Sequence, residues 1–139
     1  MVKKEEGKKI NLDLIILVVA AVVVLVICLG YQLINHILIN PIDGDKVAQI
    51  TVYYNATPYV LGESNTDRFI ELYNSSRYLE KDNGQIGTTP VSHTVIYFDN
   101  GKHTTVSDYG GGKFAVSSPD SEFFIHNKKL LTFLSAEIP

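Results

Sequence analysis

The pattern of apolar and polar positions divides the 139-residue chain into one long apolar run and a series of shorter amphipathic segments. From Leu14 to Leu29 the chain reads LIILVVAAVVVLVICL, without a charge or a strongly polar side chain. Extended to Leu33, the run reaches about 20 residues, which as a helix rising ~1.5 Å per residue spans a hydrocarbon layer of ~30 Å. Backbone N–H groups in lipid must be satisfied within their own segment, so we predict a transmembrane helix over residues 14–33.

The charges that flank this run predict its orientation. Four lysines precede it in a tail formed by residues 1–13, and Lys46 is the only cation between the run and Arg68. Because Lys and Arg near a span are retained on the cytoplasmic side, we expect a cytoplasmic N-terminus and an extracellular C-terminal domain. The chain would then be a single-pass protein of the cytoplasmic membrane, with the lipid bilayer as its partner through residues 14–33.

A cleaved signal peptide is the alternative to an anchor, because a basic segment followed by an apolar one describes both. The run is longer than the ~7–15 apolar residues of a typical signal peptide. The only candidate cleavage site is Cys28-Leu29-Gly30 before Tyr31. A lipoprotein signal needs a small residue directly before the modified cysteine, and Ile27 stands there. We therefore favour an uncleaved signal-anchor over a cleaved secretory signal, and both over a lipoprotein.

Cysteine content and charge limit the expected source of the protein and the partners expected for its domain. Cys28 is the only cysteine, so the outer domain has no disulfide, which is unusual for a secreted eukaryotic domain and favours a bacterial source. Residues 43–139 carry eight Lys+Arg and twelve Asp+Glu, a net charge of about −4. Nucleic acid and anionic lipid surfaces both require basic patches, so neither is an expected partner of this domain.

The segments after the run begin with a helical extension and a strand. Residues 34–42 have apolar positions on one side and predict a juxtamembrane amphipathic stalk that ends at Pro41, because a residue before proline avoids helical geometry. Alternation of apolar and polar residues predicts a strand over 46–55, and a short returning strand follows at 59–61.

A helix follows the returning strand, with Ser64 or Asn65 as its N-cap and an apolar stripe on one side. Residues 77–90 then form a polar, glycine-containing segment that we interpret as a connection between elements.

The strongest turn signal is Asn100-Gly101, which lies between two alternating segments. Asn-Gly is the preferred pair for a two-residue type I′ turn, because both central residues need φ > 0. This turn would place Tyr97 opposite Thr104 and His93 opposite Asp108. Further strands are expected at 113–118 and, less clearly, 122–125, and Asn127 can cap a last helix.

The predicted order in the domain of residues 43–139 is β-β-α-β-β-β-(β)-α. Antiparallel strands with helices segregated to one face define an α+β two-layer sandwich. We therefore predict an N-terminal transmembrane helix followed by a small sandwich, whose antiparallel sheet carries two helices on one face.

His93 facing Asp108 is the most suggestive candidate for chemistry. A carboxylate beside an imidazole fixes the tautomer and raises basicity, as general-base sites require, but such cross-strand pairs are also ordinary sheet stabilisers. The histidines have no metal-ligand spacing, and no nucleophile motif is present. We therefore predict no catalytic residue, no cofactor and no metal site, and expect a protein that is not an enzyme.

A recognition surface remains as the main functional hypothesis. Tyr53 and Thr51 on the first strand and Tyr97 on the hairpin, with His93 and Asp108 nearby, would form a polar, tyrosine-rich sheet face. Tyrosine supplies rigid contact area and a hydrogen-bonding tip, which suits recognition. The alternative is that these tyrosines cover the edge of a small core.

The anchor, the ITVYYN strand, the NTDRFIELYNSSRY helix, and TVIYFDNG followed by GGGKFAVS together resemble small membrane-anchored extracytoplasmic domains of Gram-positive bacteria. The resemblance covers Lys46 to about Leu134. It implies a location and a fold, and it brings no catalytic residues.

Three functions follow from these observations. The first is an interaction or sensing module at the outer membrane face, which binds a protein or a cell-envelope component. The second is an immunity- or inhibitor-type protein that blocks a toxin or an envelope enzyme. The third is an envelope enzyme that uses His93 and Asp108.

Overall fold

The structure is a computed structural model that describes residues 2–82, 84 and 88–137, with the backbone alone for residues 2–10. The chain forms two compact units, Met1–Asn35 and His36–Pro139. The helices are α1 (Val2–Leu38), α2 (Glu63–Asn74) and α3 (Lys128–Glu137). The strands are β1 (Val47–Tyr54), β2 (Thr57–Val60), β3 (Arg77–Lys81), β4 (Ser92–Phe98), β5 (His103–Asp108), β6 (Lys113–Ser118) and β7 (Ser121–His126).

Helix α1 contains the apolar run. Its segment Asn11–Leu38 is long and apolar enough to cross a membrane, and no part of its most apolar window is buried. Among the described residues it is the one helix with this property. A signal sequence near an N-terminus can meet the same criteria of length and hydropathy, so the helix indicates membrane or envelope association without distinguishing an anchor from a signal.

The seven strands form one open antiparallel sheet in the order β2-β1-β4-β5-β6-β7-β3. The predicted α+β fold with an antiparallel sheet is confirmed. Strand β3 was missed, because Arg77–Lys81 lies in the segment predicted to be a connection. Its sequence RYLEK is rich in charge because β3 is an edge strand, where charged side chains can reach water and discourage pairing with other chains.

The core lies between one face of the sheet and the two helices α2 and α3. One cluster of buried apolar side chains joins all three elements. We call the opposite face of the sheet, which does not contribute to this cluster, the outer face. The cluster includes Ile50, Val52, Ile96, Val106, Phe114, Val116, Phe123 and Ile125 from the sheet, Phe69, Ile70, Leu72 and Tyr73 from α2, and Leu130 and Leu134 from α3.

The two helices differ in how well the sequence predicted their caps. Helix α2 begins two or three residues earlier than expected, with Gly62 as its N-cap in extended geometry, so the prediction of Ser64 or Asn65 was wrong. The predicted cap of α3 is confirmed: Asn127 Oδ1 accepts a hydrogen bond from the Leu130 N–H at 2.9 Å. The Asn127 amide also donates to the Leu72 carbonyl at 2.7 Å, which ties α3 to α2.

The hairpin between β4 and β5 does not use the predicted two-residue turn. Gly101 has φ +84°, whereas Asn100 is not in the positive-φ region. The Gly101 N–H donates to the Phe98 carbonyl, and the Phe98 N–H donates to the Lys102 carbonyl. This is a type I turn followed by a glycine bulge, which inserts one residue and shifts the register by one.

The shifted register corrects the predicted pairs. Tyr97 lies opposite His103 and not Thr104, and His93 lies opposite Ser107 and not Asp108. Asp108 instead pairs with Ser92.

The chain enters the second unit through a segment that is part of its core. Ile39 and Ile42 are buried, although the sequence analysis assigned them to the stalk. The Tyr73 hydroxyl donates to the Ile39 carbonyl at 2.8 Å. The Asn74 side chain accepts from the Ile42 N–H at 2.7 Å and donates to the Ile42 carbonyl at 2.9 Å. We call residues 39–42 the entry segment.

Candidate interaction site

The outer face of the sheet is lined along β1, β4 and β5 by alternate side chains of mostly polar or aromatic type. Side chains two residues apart on a strand share a face, and the strand register sets which of them are neighbours. These side chains are Gln49, Thr51 and Tyr53 on β1, His93, Val95 and Tyr97 on β4, and His103, Thr105 and Ser107 on β5.

Two tyrosines meet on this face. Tyr53 lies opposite His93, and Tyr97 lies opposite Gln49, so the two tyrosines approach each other diagonally across β1 and β4. Their hydroxyl oxygens are 3.2 Å apart. The hydrogen bond with Tyr53 raises the pKa of Tyr97 above its ordinary value, and partial desolvation adds to the shift. The hydrogen bond links the two phenol groups across β1 and β4.

His93 is exposed and bonded on one side only. Its Nδ1 lies 2.9 Å from the Ser107 Oγ on the neighbouring strand, and Ser107 is buried. This contact holds the ring at one nitrogen. Nε2 makes no hydrogen bond within the part of the chain that the structure describes, so it is available to a partner as a donor or an acceptor, depending on the tautomer.

An open groove of about 630 Å³ runs over these side chains. Its floor comes from the sheet, and its walls come from the turn between β1 and β2 and from the segment that precedes β4. We call it the tyrosine groove. It is lined by Tyr53, His93, Val95, Tyr97 and Thr105 from the sheet, Asn55 and Ala56 from the turn, and Thr89, Pro90, Val91 and Ser92 from the segment before β4.

The structure brings together three of the five predicted surface residues: Tyr53, Tyr97 and His93. Thr51 lies on the same face but is only 2% exposed, so its expected place in an accessible surface was wrong. It sits between Val60 and Val95 on the neighbouring strands, and its hydroxyl accepts a hydrogen bond from Gln49 at 2.8 Å.

Asp108 does not belong to this surface. It is only 5% exposed and points to the helix side of the sheet, because its cross-strand partners Ser92 and Phe114 are on that side. Its Oδ1 accepts the Gly110 N–H at 2.7 Å, which helps to form the turn between β5 and β6. The predicted His93–Asp108 pair is therefore not formed.

Two parts of the groove were not predicted. Val95 and Thr105 were assigned no surface role, although their alternation with the core residues Ile96 and Val106 places them on the outer face. The wall before β4 could have been noticed in the sequence at Pro90-Val91, where an apolar residue follows a turn-forming proline. In the structure Val91 is 57% exposed and lines the groove.

The groove presents both polar and apolar surface. It offers aromatic faces, hydroxyls and an imidazole over an apolar patch at Val95. Within the described ranges of the chain, no group of three or more His, Cys, Asp or Glu side chains is arranged to hold a metal ion.

Comparison with known proteins gives one similar fold. No protein-family model matches the chain, and no curated protein matches it. The crystal structure of a "Putative Lipoprotein from Clostridium perfringens" has a similar fold, with a TM-score of 0.53 and 14% sequence identity. The likeness covers 64% of this chain and 82% of that chain. That protein comes from a Gram-positive bacterium, and at this identity the likeness concerns the fold alone.

Proposed function

We propose that this protein is a non-enzymatic interaction module, anchored by α1 in the cytoplasmic membrane and exposed outside the cell. It binds a protein or a cell-envelope component through the tyrosine groove. The observation that carries the proposal is the hydrogen-bonded pair Tyr53 and Tyr97, which lies on the floor of an open groove beside the exposed imidazole of His93.

The proposed location rests on α1 and on the charges around it. The apolar segment Asn11–Leu38 has the length of a membrane span, and the lysines before it favour a cytoplasmic N-terminus. The Clostridium perfringens protein of similar fold carries the name "Putative Lipoprotein", and lipoproteins are held at membranes by lipid. This name supports a membrane location for the present chain.

The proposed binding mode rests on what the groove exposes. A large half-buried aromatic side chain gives up little conformational freedom on binding, since it rotates about two bonds only. The hydroxyl contact between Tyr53 and Tyr97 restricts these side chains further, so they lose less conformational entropy when a partner binds. Open grooves lined by such residues suit an extended segment of a partner better than a small molecule, which needs enclosure.

The proposal that the protein is not an enzyme is supported by the placement of His93 and Asp108. The candidate His93–Asp108 pair would require a hydrogen bond between the carboxylate and the imidazole. Here the imidazole lies on the outer face and is bonded to Ser107, whereas the carboxylate lies on the opposite side and is bonded to Gly110.

Site-directed photo-cross-linking in intact cells tests the proposal. A photoreactive phenylalanine at His93 should cross-link to a specific partner, and the same residue at Lys129, an exposed position on α3, should not. The cross-link from position 93 should be lost when Tyr53 and Tyr97 are both replaced by alanine. A double replacement that leaves the cross-link unchanged would show that the groove does not carry the binding.

The identity of the partner separates the interaction module from the immunity-type alternative. A resident envelope component, cross-linked in every growth condition, supports the first. A cross-link that forms only after addition of a foreign toxin or hydrolase, together with protection of the cells, supports the second.

A further inference from the structure

A second cavity, of about 360 Å³, opens on the helix side of the sheet, away from the tyrosine groove. It lies where the β4–β5 hairpin and the β6–β7 turn meet the entry segment. Its volume falls within the ~300–1,000 Å³ of ordinary ligand pockets. We call it the entry cleft.

The lining of the entry cleft combines apolar and polar side chains. Phe98, Val116 and Phe123 supply the apolar surface. Thr104 is 8% exposed and lines the cleft, and its hydroxyl makes no hydrogen bond within the described part of the chain. A hydroxyl that lines a cavity can donate or accept a hydrogen bond, so Thr104 can bond a ligand in the cleft.

The rim of the entry cleft carries charges of both signs. Lys46 and Lys102 contribute ammonium groups, and Asp43 and Asp120 contribute carboxylates. These four side chains form no ion pair with one another: the ion pairs in the described residues, Arg68–Glu71 and Lys113–Glu80, lie elsewhere. Cations and anions that surround one cavity without neutralising each other can each pair with an opposite charge on a ligand.

We propose that the entry cleft binds a small zwitterion with an apolar side group, the chemical class of a free amino acid or a dipeptide. The ligand carboxylate would pair with Lys46 and Lys102, and its ammonium group with Asp43 and Asp120. Its side group would lie on Phe98, Val116 and Phe123. A simple anion such as phosphate fits less well, because the two carboxylates would repel it.

Titration calorimetry on the full chain in lipid nanodiscs tests this proposal. The probe is the dipeptide Leu-Phe, compared with its N-acetylated form, its C-amidated form and a neutral chitobiose. Leu-Phe should bind, and each capped form should bind about tenfold more weakly, as expected for loss of a charge-assisted hydrogen bond. Equal binding of the capped forms, binding of chitobiose in place of Leu-Phe, or no binding of any probe would overturn it.

Charge-neutralising variants assign each end of the ligand. Lys102→Gln should weaken Leu-Phe but not the C-amidated form, and Asp120→Asn should weaken Leu-Phe but not the N-acetylated form. Lys113→Gln, on the outer face, is the matched control and should bind as the wild type does. If both rim variants weaken all forms equally, the residues act on the fold and the zwitterion assignment fails. Tyr53→Phe should leave Leu-Phe binding unchanged, which keeps this test independent of the tyrosine groove.

Discussion

Ala56 adopts a backbone conformation that L-residues rarely take. The turn between β1 and β2 has two central residues, Asn55 and Ala56, with φ +49° and +62°. This is the type I′ pattern that the sequence suggested for Asn100-Gly101. Asparagine tolerates positive φ, but alanine does so at a cost of about 1 kcal/mol because its Cβ approaches the backbone.

Replacing Ala56 by glycine should therefore stabilise the domain by about 0.5–1 kcal/mol, measured as the free energy of unfolding in urea. Ala48→Gly is the matched control, because Ala48 is an exposed residue at the register shift of β1 whose φ is not positive, so glycine should destabilise by a similar amount. A loss of stability in both variants would mean that the strain at Ala56 is negligible.

Tyr73 predicts how stability depends on alkaline pH. Its burial raises the pKa of the phenol well above the ordinary value of about 10. Below about pH 10 the phenol is neutral in both the folded and the unfolded chain. Above that pH the unfolded chain loses the proton while the folded chain keeps it, so the free energy of unfolding falls as pH rises.

The Tyr73→Phe variant should show a flatter fall in stability above pH 10 than the wild type, although it is less stable at neutral pH through loss of its bond to Ile39. Urea unfolding at several pH values from 8 to 11 measures both effects. Parallel slopes for Tyr73→Phe and the wild type would contradict the assignment.

At the scale of elements, periodicity predicted the strands whose apolar and polar residues alternate. It failed for an edge strand with long-range pairing and for the type of one turn. In β1 the core residues Ile50 and Val52 alternate with residues of the outer face, and this alternation predicted the strand. β3 lacks a strong pattern because it is an edge strand paired on one side with β7, a neighbour 40 or more residues away in sequence. The turn at Asn100-Gly101 could not be typed, because Asn-Gly suits both the I′ turn and the glycine bulge.

The entry segment gives a prediction at the same scale. A chain that begins at residue 43 lacks Ile39 and Ile42 and leaves the Tyr73 hydroxyl without its acceptor. Each buried isoleucine contributes roughly 1.5–3 kcal/mol. We expect this chain to be at least about 3 kcal/mol less stable than one that begins at residue 36, measured by urea unfolding. Ile39→Ala in the longer chain should reproduce part of the loss. Equal stability of the two chains would show that the entry segment does not contribute to the stability of the core.

The candidate site was predictable only where its residues lie on one strand face by local alternation, and not where strand register or distant segments place them. Tyr53, Tyr97 and His93 share one face by alternation alone, so the sequence could group them. The place of Asp108 depends on a single-residue register shift, which reverses the face of every residue after the turn. The entry cleft assembles residues from Asn40 to Phe123, and such long-range convergence leaves no local motif.

The topology of the whole molecule can be tested by thiol labelling in a Cys28→Ser background. A cysteine at Lys129, exposed on α3, should react on intact cells with a membrane-impermeant maleimide, and a cysteine at Lys9 should react only after lysis. Labelling at position 9 with protection at position 129 would reverse the proposed orientation. Loss of the N-terminal segment from the mature protein, seen by mass spectrometry, would show a cleaved signal in place of an anchor.

The entry segment also determines where the folded unit yields to force. Tension on the chain before His36 reaches the domain at residues 39–42, before it reaches any strand. The first bonds to bear it are those that Tyr73 and Asn74 make with the backbone of Ile39 and Ile42. Under load we therefore expect the entry segment to detach first from α2. One wall of the entry cleft would then be lost while the seven-stranded sheet stays intact.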